Sequence, residues 1–266
     1  SIYTSLGCIY QCEFCMINII NRNNNDQNKT SKDFNKFRYW NPEFTIKQLD
    51  FLAEKGVKQL KIADEMWVLK PKHFMKLCDL IIERKYDFNI WAYTRIDTIK
   101  ERYLEKLKKA GVNWLAPGIE AGNQGIRREI TKGKFEDLDI REVVKKVHDA
   151  DIEIIANYLF GLTGDTFDSM QKTLDLSLEL CTIAWNAYAV MALPGSGLYK
   201  KAIEKGLKLP DDYAGYSFHS YNTQPLPTDQ VSASEILKFR DAAFTKYHSH
   251  QPFLEKIRRK YGDLAA

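Results

Sequence analysis

Along this chain the spacing of apolar residues switches back and forth between two periods, and from residue 40 onward the alternation is regular. "FTIKQLDFLAEKG" sets Ile46, Leu49, Leu52 and Ala53 three or four apart and closes on Gly56, the pattern of one helical face ended by a glycine. "VKQLKIADE" is a short strand-like run. "KPKHFMKLCDLIIERK" returns to helical spacing, with Pro71 near its start and Phe74, Leu77, Cys78, Ile81 and Ile82 on one face. "FNIWAYTRI" reads as a strand, "KERYLEKLKKAG" as a helix and "VNWLAPGIEAG" as a strand. The remaining helices are "LDIREVVKKVHDA", "DTFDSMQKTLDLSLELC" and "GLYKKAIEKG", separated by the strands "IEIIANYLFGL" and "IAWNAYAVMALPG".

A βαβα series of this kind predicts an α/β fold, a parallel sheet with helices packed outside it. Five strands, with a sixth that "IYTSLG" would supply, suit a barrel and a doubly wound sheet equally, and in either the chemistry collects at the carboxyl ends of the strands. After Pro210 the pattern changes. "DDYAGYSFHSYNTQPLPT" is irregular and rich in Tyr, Ser and Pro, while "SASEILKFRDAAFTKY" opens on a capping box, Ser232 and Glu235, and continues as an amphipathic helix. The expectation is a core over 1–209 and a C-terminal extension over 210–266, too short for a core of its own. The stretch 18–36 is polar, Asn-rich and without periodicity, and is expected to be an exposed, disordered loop.

Composition narrows the function classes. The 266 residues carry 39 basic and 35 acidic side chains, net +4, with both signs spread along the chain, so no nucleic-acid footprint is expected. No apolar run nears the roughly 18 residues that span a bilayer, so no membrane partner is expected. The first residues show no secretory signal; the chain opens on Ser1, and the expectation is a fragment whose upstream part is missing. Five cysteines, three of them clustered, argue against a disulfide framework and for a reducing cytoplasm.

The cluster is "GCIYQCEFC", with Cys8, Cys12 and Cys15 in a C-x3-C-x2-C spacing. A closed structural zinc site takes four ligands. Cys78 and Cys181 fall on apolar helix faces, where a thiol behaves as a small hydrophobe. Three thiolates alone fit an iron–sulfur cluster with one open iron, or a zinc site completed from elsewhere.

The stretch "CIYQCEFC", including Phe14 before the last cysteine, resembles the CxxxCxΦC signature of the radical S-adenosylmethionine (SAM) enzymes. The resemblance implies a partial (β/α)6 TIM-type barrel with a C-terminal helical extension. It also implies a 4Fe-4S cluster held by the three cysteines, and SAM chelated at the fourth iron and cleaved reductively to a 5′-deoxyadenosyl radical. Further motifs follow in the family's order. "KIADEMW" puts Asp64 and Glu65 where the SAM ammonium is received, with the choice between them open. Arg95 in "AYTRID" would meet the SAM carboxylate or the substrate, or form an ion pair with Asp97 or Glu120. "GIEAGNQGIRREITKG" resembles the "GIESG" element, in which Glu120 would accept from a ribose and Gly122 and Gly125 let the backbone turn closely. "YLFGLTGDT", containing Leu162, resembles the "GLPGET" element beside the adenine, with Thr163 and Asp165 replacing Pro and Glu and Asp165 expected to cap the next helix. "MALPGSGLY" places the backbone of Leu193 and Pro194 at the adenine edge.

The forms "TSLGC", "ADE", "GIEAG" and "LPGSGLY" are most similar to the branch that usually carries an N-terminal cobalamin-binding domain, which includes methyltransferases and a porphyrin ring cyclase. That implies a small-molecule substrate, cobalamin through a region absent from this chain, and a reductant such as flavodoxin or ferredoxin. A methylthiotransferase-like RNA modifier and a non-catalytic, metal-stabilised binding protein are the competing readings. No catalytic hydrogen donor is assigned, and "YAGYSFHSY" is either a packing strap or a substrate cover.

Overall fold

The computed structural model describes residues 1–17, 37–131, 135 and 138–266, so the loop expected over 18–36 lies outside the described residues. Strands β1 (Ser5–Leu6) and β2 (Arg38–Tyr39) pair antiparallel. The main sheet holds β3 (Gln59–Ile62), β4 (Asn89–Arg95), β5 (Val112–Glu120), β6 (Glu153–Phe160) and β7 (Ala184–Ala189) in sequence order. Strands β3, β4 and β5 run parallel, and helices cross between consecutive strands, as the alternating periods predicted.

"IYTSLG" departs from expectation. It touches the main sheet through one parallel bridge, Ile2 to Ile62, and then turns away at Ser5 to pair with β2. The chain divides into two compact units, one of Ser1–Ile9, Lys36–Ile119 and Glu136–Ala156, the other of Tyr10–Asn35, Glu120–Phe135 and Asn157–Ala266.

In the first unit the core lies between the sheet and its helices. The helix Pro42–Glu54 starts on Asn41, whose side chain accepts from the Glu43 N–H, and buries Ile46 and Leu49. Helix Pro71–Arg84 turns Phe74, Leu77, Cys78 and Ile81 inward and packs against Pro42–Glu54 on one side and Glu101–Lys109 on the other. Each such side chain contributes about 1.5–3 kcal/mol by leaving water. Burial pushes the Cys78 thiol up to about 12, so it stays a neutral apolar filler as expected. Alternate residues of β3 and β4 (Leu60, Ile62, Ile90, Ala92) are buried under these helices, while Lys61, Trp91 and Tyr93 between them stay half-buried on the opposite face.

In the second unit, helix Phe167–Leu180 opens on a capping box, Thr166 with Ser169. Cys181 is not on its apolar face; it caps the helix in a left-handed conformation (φ 43°) and is half-buried. The helix Ala233–His248, predicted by its own capping box, packs on β7, where Tyr247 stacks on Trp185 with ring centres 5.2 Å apart and donates to the Thr182 carbonyl at 2.6 Å. The seven-residue helix Gln124–Ile130 was not recognised in the sequence, and Gln251–Tyr261 falls within the expected helical extension without having been delimited there.

Candidate functional site

Where β3 ends, the two carboxylates singled out in "KIADEMW" take different positions. Asp64 is fully buried and accepts three hydrogen bonds: from the Thr4 N–H at 2.7 Å, the Thr4 hydroxyl at 2.6 Å and the Ser5 hydroxyl at 2.5 Å. A carboxylate removed from water needs such donors, and here they are the residues just ahead of Cys8. Glu65 is half-buried and accepts the Gly7 N–H at 2.9 Å with one oxygen. Gly7 has φ 92°, a left-handed conformation that glycine adopts without strain. Both carboxylates therefore hold the backbone leading into Cys8, which is itself buried.

Arg95, at the end of β4, is buried and forks onto Asp97, Nε to Oδ1 at 2.6 Å and Nη2 to Oδ2 at 2.5 Å. The ion pair with Asp97 is among the expectations for it. A bidentate, desolvated pair of this kind fixes the guanidinium plane rigidly.

In the second unit, Cys12 to Cys15 form a turn in which the Cys15 N–H donates to the Cys12 carbonyl at 3.1 Å. Glu13, inside that turn, is buried at 6% exposure. Its side chain pairs with Lys201 and accepts from the Thr163 hydroxyl at 3.4 Å, while its backbone exchanges bonds with Ile130 (2.9 Å) and Leu198 (3.0 Å). Sequence reasoning missed Glu13; the available signal was an acidic residue between two clustered cysteines, and nothing marked Lys201 as its partner. Phe14 packs half-buried against the apolar cluster that contains Ile126, Leu162 and Leu198.

Glu120 closes β5 in a left-handed conformation (φ 69°), which a non-glycine residue adopts only where the surroundings hold it. Gly122 donates to the Thr173 hydroxyl at 2.9 Å, and a Cβ there would lie against the Lys172 carbonyl, so the close backbone approach read from the sequence is real. Gly125, by contrast, follows Asn123, the cap of helix Gln124–Ile130, and is part of a helix rather than a turn.

Asp165 does not cap the following helix; Thr166 does. The Asp165 carboxylate is buried and accepts the N–H groups of Gly161 (3.0 Å) and Leu162 (2.9 Å) and the Ser169 hydroxyl (2.6 Å). Burial nonetheless raises its pKa above the ordinary carboxylate value. Leu162 is fully buried, its N–H donating to the Asp165 side chain and its carbonyl accepting the Asp165 N–H at 2.8 Å. Leu193 and Pro194 are half-buried, and the Leu193 carbonyl accepts the Ser196 N–H at 2.9 Å.

None of the five cysteines is in a disulfide, and among the described residues no three Cys, His, Asp or Glu side chains are gathered as a ready metal cage. The donor set nevertheless suits an iron–sulfur cluster: three thiols on one short loop, the turn Cys12–Cys15 already closed by its own hydrogen bond.

A sheet of consecutive strands joined by helical crossovers, headed by a loop of three cysteines, defines a cofactor-holding α/β core. The chain belongs to the radical SAM superfamily, whose family model matches residues 2–177. That family works with a 4Fe-4S cluster and SAM. The chain is 24% identical over 219 residues to an uncharacterized methyltransferase of Pyrococcus horikoshii, covering 81% of this chain and 44% of that protein. It is 24% identical over 223 residues to the tryptophan 2-C-methyltransferase of Streptomyces laurentii, covering 77% and 35%. Its fold matches the radical SAM methyltransferase TsrM of Kitasatospora setae, a structure with cobalamin and a [4Fe-4S] cluster bound, at a TM-score of 0.66 with 17% identity over 79% of this chain and 40% of that one. The fold is thus the partial TIM-type barrel that the cysteine signature implied. The chain spans less than half the length of these relatives. No helix among the described residues is long and apolar enough to cross a membrane.

Proposed function

We propose that this chain is the catalytic core of a radical SAM enzyme in which Cys8, Cys12 and Cys15 hold the 4Fe-4S cluster. The full-length protein transfers a methyl group to a small organic substrate, or cyclises or rearranges it, with cobalamin supplied by a region outside this chain. The observation that carries this reading is the family match, which begins at residue 2 and takes in the three-cysteine loop. The likeness to methyltransferases, one of them a cobalamin-bound structure, supports the reaction class. When bound, the cluster passes one electron from a reductant such as flavodoxin or ferredoxin to SAM, breaking its C5′–S bond to give methionine and a 5′-deoxyadenosyl radical.

This chain's residues then have separable duties. Asp64, with three donors on it, fixes the segment before Cys8, so Glu65 is the carboxylate we assign to the SAM ammonium, one of its oxygens being used by Gly7. Glu120 accepts from the ribose, from the left-handed position that closes β5. Arg95 stays paired with Asp97 and shapes the end of β4. Phe14 packs the loop onto its unit, and the Leu193–Pro194 backbone borders the adenine. Leu162 lies beside the adenine as well, its backbone groups held by Asp165. The substrate is a small molecule, and the setting is the cytoplasm.

The test is anaerobic reconstitution of the chain with iron and sulfide, followed by SAM and dithionite. Release of 5′-deoxyadenosine or methionine is expected, and is lost in Cys12→Ala. If neither product appears while the wild-type chain carries a full cluster, the proposal fails.

A further inference from the structure

On the sheet face turned away from the helices, three side chains lie in one row across three strands. Lys61 of β3 is in register with Trp91 of β4, which is in register with Trp114 of β5; Tyr93 stands two residues further along β4. All four are half-buried. The Lys61 ammonium lies over the Trp91 ring at 4.2 Å and the Tyr93 ring at 4.9 Å, and its other contact is the Tyr93 hydroxyl at 3.5 Å.

Among the described residues no carboxylate pairs with Lys61. The acidic groups near the ends of β3 and β4 have other partners: Asp64 is held by Thr4 and Ser5, Asp97 by Arg95, and one oxygen of Glu65 by Gly7. Ring faces neutralise an ammonium only in part, less than a desolvated carboxylate partner would. A second donor is also unmet, for the Trp91 indole N–H is buried without a hydrogen-bond partner. The Trp67 and Trp185 indoles share that condition, so the Lys61 ammonium, and not the indole N–H, is the group that points to a ligand.

We infer that the Lys61–Trp91–Tyr93 patch is a binding site for a planar aromatic ring carrying a carboxylate. The ring lies against the exposed parts of the aromatic row, and the carboxylate meets the Lys61 ammonium. The indole row suits a flat ring because stacking needs area without directional polar partners. Polar side chains border the row on the amino-terminal side: Asn89 donates to Gln59 at 2.7 Å, and Asn113 donates to Asn89 at 3.0 Å and accepts from Lys108 at 2.8 Å, so the charge of Lys61 is the discriminating feature. This names the substrate class for the proposed function and rests on that reading for the word substrate; binding itself does not.

The experiment titrates the 266-residue chain, without SAM or reductant, with 1-naphthoate and with its neutral counterpart 1-naphthamide, by calorimetry and tryptophan fluorescence. Naphthoate is expected to bind at least tenfold more tightly than the amide. Lys61→Met abolishes that preference and Lys61→Arg, which keeps the charge, retains it, each with an unchanged circular dichroism spectrum. Equal affinity for the two probes, no binding of either, or a preference that survives in a folded Lys61→Met overturns the inference. A misfolded Lys61→Met leaves the two-probe comparison in the native chain to decide. No SAM cleavage is read, so failure here leaves the proposed function standing, and an absence of 5′-deoxyadenosine leaves this result untouched.

Discussion

Replacing Asp64 with Asn removes the charge from a buried carboxylate but keeps its shape. In the native chain that carboxylate receives three donors within 2.7 Å, from Thr4 twice and from Ser5. Hydrogen bonds to a charged acceptor contribute about 1.5–3 kcal/mol each, against about 0.5–1.5 for neutral ones. The amide oxygen of Asn keeps the Thr4 N–H, but its NH2 faces the two hydroxyls, which must rotate to accept and leave their own protons unmet. About 1 kcal/mol per bond gives a loss of roughly 3 kcal/mol. The change falls on the segment entering Cys8, so iron retention drops with it. Urea unfolding followed by circular dichroism reads the stability, and iron per chain after anaerobic reconstitution reads the second effect. A double-mutant cycle with Ser5→Ala is expected to be non-additive by 0.5 kcal/mol or more, roughly the lower bound for side chains in contact. If Asp64→Asn unfolds within about 0.5 kcal/mol of the wild type, a spread typical of surface changes, or adds simply to Ser5→Ala, the anchoring role is refuted.

Three further outcomes follow from the geometry. Gly122→Ala pushes a methyl group against the Lys172 backbone, 2.6 Å from its carbonyl carbon, and is expected to cost about 1–3 kcal/mol in urea unfolding; Gly56→Ala, with open space around it, loses less and only through its φ of 74°. Burial holds the His73 pKa below its ordinary 6.5, so the unfolded chain takes up the proton first; the stability involved is complete above 6.5 and is lost as pH falls through it. The urea midpoint should therefore drop from about pH 7.5 to about 5.5 more steeply in the wild type than in His73→Gln, which can still donate to the Trp40 carbonyl that His73 meets at 3.0 Å. Glu13→Gln breaks the pair with Lys201, half of whose side chain is exposed, so unfolding should move by about 1 kcal/mol or less while iron retention falls more clearly.

The alternation of strands and helices was legible because each element has one buried face, and burial writes its period into the sequence. Helix Pro71–Arg84 shows this best: of the five residues its spacing singled out, Phe74, Leu77, Cys78 and Ile81 are buried and Ile82 is half-buried, while His73 is buried beside them. Where burial does not set a period, the reading failed. Gln124–Ile130 is about two turns of helix set by the Asn123 cap, and its glycine passed for a turn residue. "IYTSLG" has a strand's composition, yet beyond the one bridge of Ile2 to β3 its hydrogen bonds go to Asp64, Glu65 and β2, partners that no local pattern announces. Asp165 was misassigned for a related reason. An acidic residue just before a helix is usually its cap, but here the adjacent Thr166 takes that place and leaves Asp165 to the Gly161–Leu162 backbone. The cysteine loop was legible as chemistry, since three thiols at short spacing have few other uses, whereas its supports were invisible because they come from far along the chain.

Those supports explain how a loop of small and polar residues can serve as ligand carrier. An unsupported loop would lose roughly 1–2 kcal/mol of backbone entropy per residue on gripping a cofactor. In this chain much of that ordering precedes the cofactor. Asp64 and Glu65 fix Thr4, Ser5 and Gly7 in one unit; in the other, Glu13 is held through both its side chain and its backbone, and the Cys12–Cys15 turn closes on itself. Asp64, Glu65 and Glu13 are not sulfur donors, yet none is spare, for each satisfies a polar group that would otherwise oppose folding. The same bonds that stabilise the fold thus hold the backbone around the thiols in place, which is why substitutions such as Asp64→Asn and Glu13→Gln are expected to lower iron retention although every sulfur remains.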